Sequence, residues 1–136
     1  MIVVDASLFV AWLLNEPGHG PDDAVWDILS AETAFVPDHW PNEIANALRG
    51  AVRTNRIRVE EIDAIVERVN VFDIVFGAPT PIDEIGSLAK QALRHGLSPY
   101  DMTYIRLAHD HQLSLATVDR EMRRAAATRN IRLLPA

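Results

Sequence analysis

Cysteine is absent from this sequence, and lysine occurs once, at Lys90. Without thiols there is no disulfide framework, no sulfur nucleophile and no thiolate-ligated zinc. With no lysine late in the chain, a phospho-receiver domain fits poorly. Long apolar runs are missing too: the longest, Leu8 to Leu14, falls far short of the roughly 20 residues that span a bilayer. Asp5 interrupts the apolar start and no basic residue precedes it, which argues against a secretory leader. What is present is ordinary for a folded protein. The 136 residues are 49% hydrophobic and 24% charged, so disorder is excluded and one domain spanning residues 1–136 is expected. The expected location is the cytoplasm, with no membrane association.

Charge is distributed unevenly. Residues 1–48 carry eight acids and no lysine or arginine, whereas residues 49–58 carry Arg49, Arg53, Arg56 and Arg58 and no acid. The tail from Arg120 holds five arginines against Glu121, and the whole chain nets −6. A negative domain would ordinarily argue against nucleic acid, because neutralising phosphates supplies most of that affinity. Yet 12 of the 13 basic residues are arginine, the better bidentate partner for phosphate. Acids gathered in one region and arginines in two others suit a metal site beside a polyanion, although solvated helix faces would look similar.

Hydrophobic patterning alternates between strand and helix. Ile2-Val3-Val4 reads as a strand buried on both faces and ending at Asp5. Ser7 to Leu14 reads as a helix broken at Asn15-Glu16-Pro17-Gly18, and residues 22–31 as a second helix. A strand Ala34-Phe35-Val36 follows, stopped by Pro37. Ile44, Ala47, Leu48, Ala51 and Val52 recur at helical spacing over Pro41–Arg53, with Pro41 suited to a first turn. The period predicts one helix over Val59–Val69 and a weaker strand at Phe72–Phe76. A helix through Ile82 and Leu93 stops at Gly96, and another begins at Ser98-Pro99 and runs to about His111. A strand Leu113–Val118, a helix Asp119–Thr128 and a strand Ile131–Leu134 complete the chain. The expected fold is α/β: a central parallel sheet of about five short strands flanked by helices, in three layers.

In such a sheet, ligands bind beyond the carboxyl ends of the strands. Asp5 ends the first strand and Asp119 the fourth. Glu43 lies in the first turn after the second strand, and Asp101 in the first turn after Ser98. All four carboxylates therefore fall on one predicted sheet edge. Crowded carboxylates repel, and a divalent cation relieves that cost; hard Mg²⁺ or Mn²⁺ prefers such oxygen ligands. Each acid also has a local explanation. Asp5 and Asp119 suit helix N-caps, Asp101 completes a capping box with Ser98, and Glu43 favours its helix dipole.

The motifs resemble those of a known family. Ile2-Val3-Val4-Asp5-Ala6-Ser7 matches the opening of PIN domains, and Pro41-x-Glu43-x-x-Asn46-x-Leu48 their second motif. Ser98-Pro99-Tyr100-Asp101-x-x-Tyr104-x-x-Leu107-Ala108 matches the third, and Leu115-Ala116-Thr117-x-Asp119 the fourth. Their order and spacing across essentially the whole chain resemble the VapC-type toxin ribonucleases. Two local departures, Met102 and the Asp38-His39-Trp40 segment before Glu43, remove none of the acids. The resemblance implies a PIN-like fold and Mg²⁺- or Mn²⁺-dependent endoribonuclease activity, with tRNA or rRNA loops as substrates. It also implies a toxin that forms homodimers. Such a toxin is silenced by a cognate VapB-like antitoxin that inserts a segment into the acidic site or an adjacent groove.

Carried over by position, Asp5, Glu43, Asp101 and Asp119 are the catalytic and metal-binding acids. Asp5 and Asp101 are expected to hold the principal cation directly, and Glu43 and Asp119 through water or a second ion. Ser7 and Thr117 would be supporting hydroxyls, and Asn46 would orient Glu43. Arg49, Arg53 and Arg56 form a stripe on the Glu43 helix, while Arg120, Arg123 and Arg124 follow Asp119. Arg49, Arg53, Arg120 and Arg123 are the candidates to hold RNA phosphates, with plain surface arginines, or pairing to an antitoxin's acids, as the alternatives.

Other readings fare less well. A haloacid-dehalogenase-type phosphatase needs a second aspartate two residues after the first, where Ser7 stands. His109 and His111 sit two apart on a predicted helix, pointing in different directions, and so cannot readily share a zinc ion. Most of Trp12, Leu13 and Leu14, with Trp26, Ile28 and Leu29, are expected in the core, with an apolar groove for a partner helix as the alternative. A PIN nuclease for RNA processing outside a toxin pair and a non-catalytic PIN-like binding module remain the rivals.

Overall fold

The structure, a computed structural model, describes residues 1–14 and 23–136, with residues 23–25 described by their backbone alone. The predicted break at Asn15–Gly18 lies outside the described residues. Five strands form one sheet: β1 (Ile2–Val4), β2 (Ala34–Val36), β3 (Ile74–Phe76), β4 (Ser114–Ala116) and β5 (Leu133–Leu134). Every pairing is parallel and the spatial order is β3-β2-β1-β4-β5. The helices are α1 (Ala6–Leu13), α2 (Asp23–Ala31), α3 (Trp40–Arg53), α4 (Ile62–Glu67), α5 (Ile85–His95), α6 (Pro99–Asp110) and α7 (Arg120–Thr128). The expected α/β sandwich is what the chain builds.

β1 lies at the centre, and all its residues are buried, as are those of β2. Fully buried β-branched strands suit a parallel sheet covered on both faces. α6 packs on β1 and β4 with α5 and α7 beside it, while α1 packs on α3. The apolar residues of β1, β2, β4, α1 and α6 share one hydrophobic cluster. The tryptophans expected in the core join it through an aromatic group. Trp12 and Trp26 lie 4.4 Å apart by ring centroid, and both pack near Phe9 and Phe72. Arg68 caps this group, its guanidinium 4.9 Å above the Trp12 ring and donating to the Leu13 carbonyl at 2.9 Å.

Two elements differ from the periodicity. The stretch predicted as one helix over Val59–Val69 is instead a 3-10 turn at Val59–Glu61, the short α4, and a second 3-10 turn at Arg68–Val71. None of its residues is buried. An apolar stripe with so shallow a face to bury gives little tertiary support to a long helix, and most helical stability comes from such packing. β3, the weaker strand candidate, is the sheet edge, with Val75 and Phe76 exposed.

The strand order positions the site. From β1 the sheet grows through β2 to β3 on one side and through β4 to β5 on the other. The order therefore reverses between β1 and β4. That reversal opens a crevice at the carboxyl ends of the strands, where ligands bind in open α/β sheets.

Candidate active site

Asp5 and Asp119 flank this crevice. Val4 of β1 pairs in register with Ala116 of β4, which brings the next residues, Asp5 and Thr117, side by side. Asp5 is 3% exposed and Thr117 fully buried. The Thr117 hydroxyl donates to Asp5 Oδ2 at 2.8 Å and accepts the Asp119 amide at 3.1 Å. One buried hydroxyl thus links the two strand-end acids. Asp5 Oδ1 also accepts the Ser7 amide at 3.2 Å as the N-cap of α1. Ser7 reaches Asp5 through its main chain and is among the residues that line the cleft.

Glu43 and Asp101 come from the first turns of α3 and α6. A small cleft is lined by Asp5, Ser7, Glu43, Asn46, Ala47 and Asp101. It adjoins a second hollow that shares Glu43, Asn46 and Asp101 and adds His39 and Tyr100. Three of the four predicted acids thus meet in one cleft, with Asn46 beside them. Asp119 stands at its margin, exposed, as the N-cap of α7, with its Oδ1 accepting the Met122 amide at 2.8 Å. It still acts on the site electrostatically, because its charge raises the pKa of Asp101.

The electrostatics follow from this crowding. Burial pushes the Asp5 carboxyl up from 3.8 to about 6, against its hydrogen bonds from Thr117 and Ser7, and the charges of Asp101 and Glu43 add to the rise. Desolvation and then the Asp119 charge raise Asp101 as well. Asp5 is the only buried carboxylate among the described residues, and it sits among like charges. Such a group is costly unless a cation compensates it. The donor set is entirely hard oxygen, which fits Mg²⁺ or Mn²⁺. Among the described residues, no three acidic or imidazole groups form a ready-made ligand cage. Asp5, Glu43 and Asp119 instead each accept at least one hydrogen bond from a neighbouring donor.

Two residues to which the sequence motifs gave no role stand against Glu43. Tyr104, fully buried, donates its phenol proton to Glu43 Oε2 at 2.5 Å and accepts the Ala6 amide at 3.3 Å. Desolvation and the neighbouring acids push its ionisation far above the ordinary range, so it remains a phenol. His39 Nδ1 is buried without a hydrogen-bond partner and lies 3.3 Å from Glu43 Oε1, while Nε2 is 2.8 Å from the Thr103 hydroxyl. Helical spacing could have found only His39, which precedes Glu43 by four residues and so shares a face with it; Tyr104 meets Glu43 from another helix, 61 residues away.

The arginines separate into groups. Arg120 is exposed directly after Asp119. Arg123 uses Nη1 on the Thr117 carbonyl and Nη2 on the Pro135 carbonyl, both at 2.8 Å, bracing β4 against the tail. Arg49 lines an apolar groove with Trp40, Ile44, Leu48, Ile62 and Phe72. Arg49 and Arg53 lie about 240° and 280° around the α3 axis from Glu43 at 3.6 residues per turn. Arg49 therefore faces away from the acidic cleft, whereas Arg53 lies within about 20° of Asn46, which lines it.

Known proteins share this architecture. A family model described as the PIN domain matches residues 2–128. Over 121 residues the chain is 27% identical to ribonuclease VapC3 of Pyrobaculum aerophilum, an alignment spanning 89% of this chain and 91% of that protein. The crystal structure of PAE2754 from Pyrobaculum aerophilum has the same fold, with a TM-score of 0.66 and 24% identity over 91% of this chain and 83% of that one.

Proposed function

The chain belongs to the PIN-domain family, and from that premise we propose that it is a Mg²⁺- or Mn²⁺-dependent endoribonuclease, the toxin of a type II toxin–antitoxin pair. The observation that carries this reading is Asp5, a buried carboxyl pushed up to about 6 between Glu43 and Asp101. A carboxylate so placed disfavours its own charge until a cation shares it. Similarity to a protein named ribonuclease VapC3 supports RNA as the substrate and a VapB-like antitoxin as the partner.

In this mechanism Asp5 and Asp101 would hold the principal ion, and Glu43 and Asp119 would ligate through water or help hold a second. The chemistry such an ion would supply, when bound, is polarisation of the scissile phosphate and a lowered pKa for the attacking water. Thr117 holds Asp5 in register with Asp119, and Asn46 borders Glu43 one turn along α3. Attack in line on phosphorus leaves a 5′-phosphate and a 3′-hydroxyl, with the ribose 2′-hydroxyl uninvolved. Of the four candidate arginines, Arg120 at the rim is the one placed to hold a phosphate; Arg123 is engaged by two main-chain carbonyls and Arg49 stands on the apolar-groove side of α3. Single-stranded loops of tRNA or rRNA suit such a site because their bases are free to be read. The antitoxin would cover the acidic cleft or the apolar groove between α3, α4 and β3. The active form is a cytoplasmic homodimer of one PIN unit per chain; among the described residues no helix is long and apolar enough to cross a membrane.

The deciding experiment sequences RNA ends after brief induction of the wild-type chain and of Asp5→Asn. The proposal expects new 5′-phosphate ends at a few loop positions with the wild type alone, and metal-dependent cleavage of those RNAs by the purified protein. Identical ends in both strains, or cleavage that survives chelation, would refute it.

A further inference from the structure

α6 contributes more than Asp101 to the cleft. Three residues further along the same helix face, Tyr104 reaches back beneath the site, fully buried. Its oxygen makes two directional bonds. The Ala6 N–H can only donate, so the phenol oxygen accepts there at 3.3 Å, and its single proton runs to Glu43 Oε2 at 2.5 Å. Ala6 directly follows Asp5, so the bridge runs from the turn that carries one acid, through Tyr104, to the carboxylate of another on α3. A glutamate has three side-chain torsions, and an untethered one must be ordered each time it meets a ligand.

We propose that Tyr104 is a positioning residue that fixes the Glu43 carboxylate relative to Asp5, so that both face one divalent cation. This rests on the nuclease reading above and adds a residue to it. Tyr104 touches neither ion nor RNA in this role; it acts through Glu43. Partners that orient a metal-ligating carboxylate typically contribute about 10- to 100-fold to metal affinity or activity when removed.

The test measures Mn²⁺ binding to the full chain by calorimetry for wild type, Tyr104→Phe, Glu43→Gln and the double variant. Tyr104→Phe should bind Mn²⁺ about 10-fold more weakly and lower kcat while leaving KM for RNA close to wild type. In the Glu43→Gln background the same change should have no further effect on Mn²⁺ binding, because a residue acting through Glu43 has nothing left to position. Unchanged binding by Tyr104→Phe, or losses that multiply in the double variant, overturn the proposal. A readout that does not depend on the Phe variant folding comes from wild-type protein with fluorine-labelled tyrosine, the second signal assigned through Tyr100→Phe. The Tyr104 resonance should shift with Mg²⁺ along the binding curve, and a stationary resonance would also overturn the proposal. If the wild type binds Mn²⁺ and cleaves RNA but Tyr104→Phe matches it, this inference alone falls. If the wild type binds no Mn²⁺, the nuclease reading falls with it.

Discussion

At the scale of single residues, Asp5 couples stability to the site's chemistry. Its carboxyl titrates near 6 in the fold, against an ordinary value of 3.8. The folded state therefore holds this proton more tightly than the unfolded chain does. The stability gained from that proton is fully present below about pH 4 and is lost as pH rises through about 6. The difference corresponds to roughly 2–3 kcal/mol from this one group. Asp101 is shifted in the same direction and adds to the slope. Urea unfolding of the metal-free protein should show stability declining from pH 4 to pH 7, and Asp5→Asn should flatten that decline. Mg²⁺ should raise the melting temperature of the wild type at pH 7.5 but hardly at pH 4.5, where protonated carboxyls do not bind it. A wild-type profile as flat as the variant's would show that burial does not tax this carboxylate.

At the scale of elements, four helices begin at one rim. Asp5 caps α1, Asp119 caps α7, Ser98 caps α6 with Asp101 in its first turn, and Glu43 lies in the first turn of α3. Helix N-termini carry partial positive charge, which offsets part of the repulsion among the acids. Capping and a shared site are thus compatible roles for one side chain, and substitution can separate them. Asp119→Asn keeps a capping oxygen, whereas Asp119→Ala removes the bond to the Met122 amide and should cost about 1 kcal/mol more in unfolding free energy. If the charge of Asp119 is what serves cleavage, both variants should lose RNA-cleaving activity to the same degree. Equal stability of the two variants would deny Asp119 a capping role, whereas activity retained in Asp119→Asn would assign this residue to α7 alone.

This arrangement also explains what could be read in advance. An apolar β-branched run ending in aspartate locates both a buried parallel strand and the group at its carboxyl end, so Asp5 and Asp119 were legible from neighbouring residues. Glu43 and Asp101 were legible from helix starts. The partner on another helix was not. Tyr104 lies 61 residues from Glu43 in sequence, and a buried tyrosine on a helix looks like core until its hydroxyl is followed to an acid. Arg123 illustrates the converse: as one of a run of arginines it reads as a phosphate ligand, and in the fold it binds two main-chain carbonyls. The broken stretch from Val59 to Val71 was hidden for another reason, since helical period says nothing of how deep a face will be buried.

At the scale of the whole molecule, a chain with net charge −6 must bind a polyanion locally, against its own average field. The distribution of charge makes this workable. A cation in the cleft would cancel part of the acidic excess where the scissile phosphate sits, and the arginine-rich tail that starts at Arg120 borders the same rim. Arg49 lies on the side of α3 that lines the apolar groove, so a short RNA confined to the rim should not reach it. Binding of a short single-stranded RNA to the inactive Asp5→Asn protein, measured across a range of salt, separates these surfaces. Each phosphate contact on a single strand contributes about 0.7 to the slope of log affinity against log salt. Arg120→Ala should therefore reduce the slope by about that amount, and Arg49→Ala should leave it unchanged. The reverse result would carry the RNA off the rim and along α3, and the arginine block at residues 49–58 would then be the principal phosphate surface.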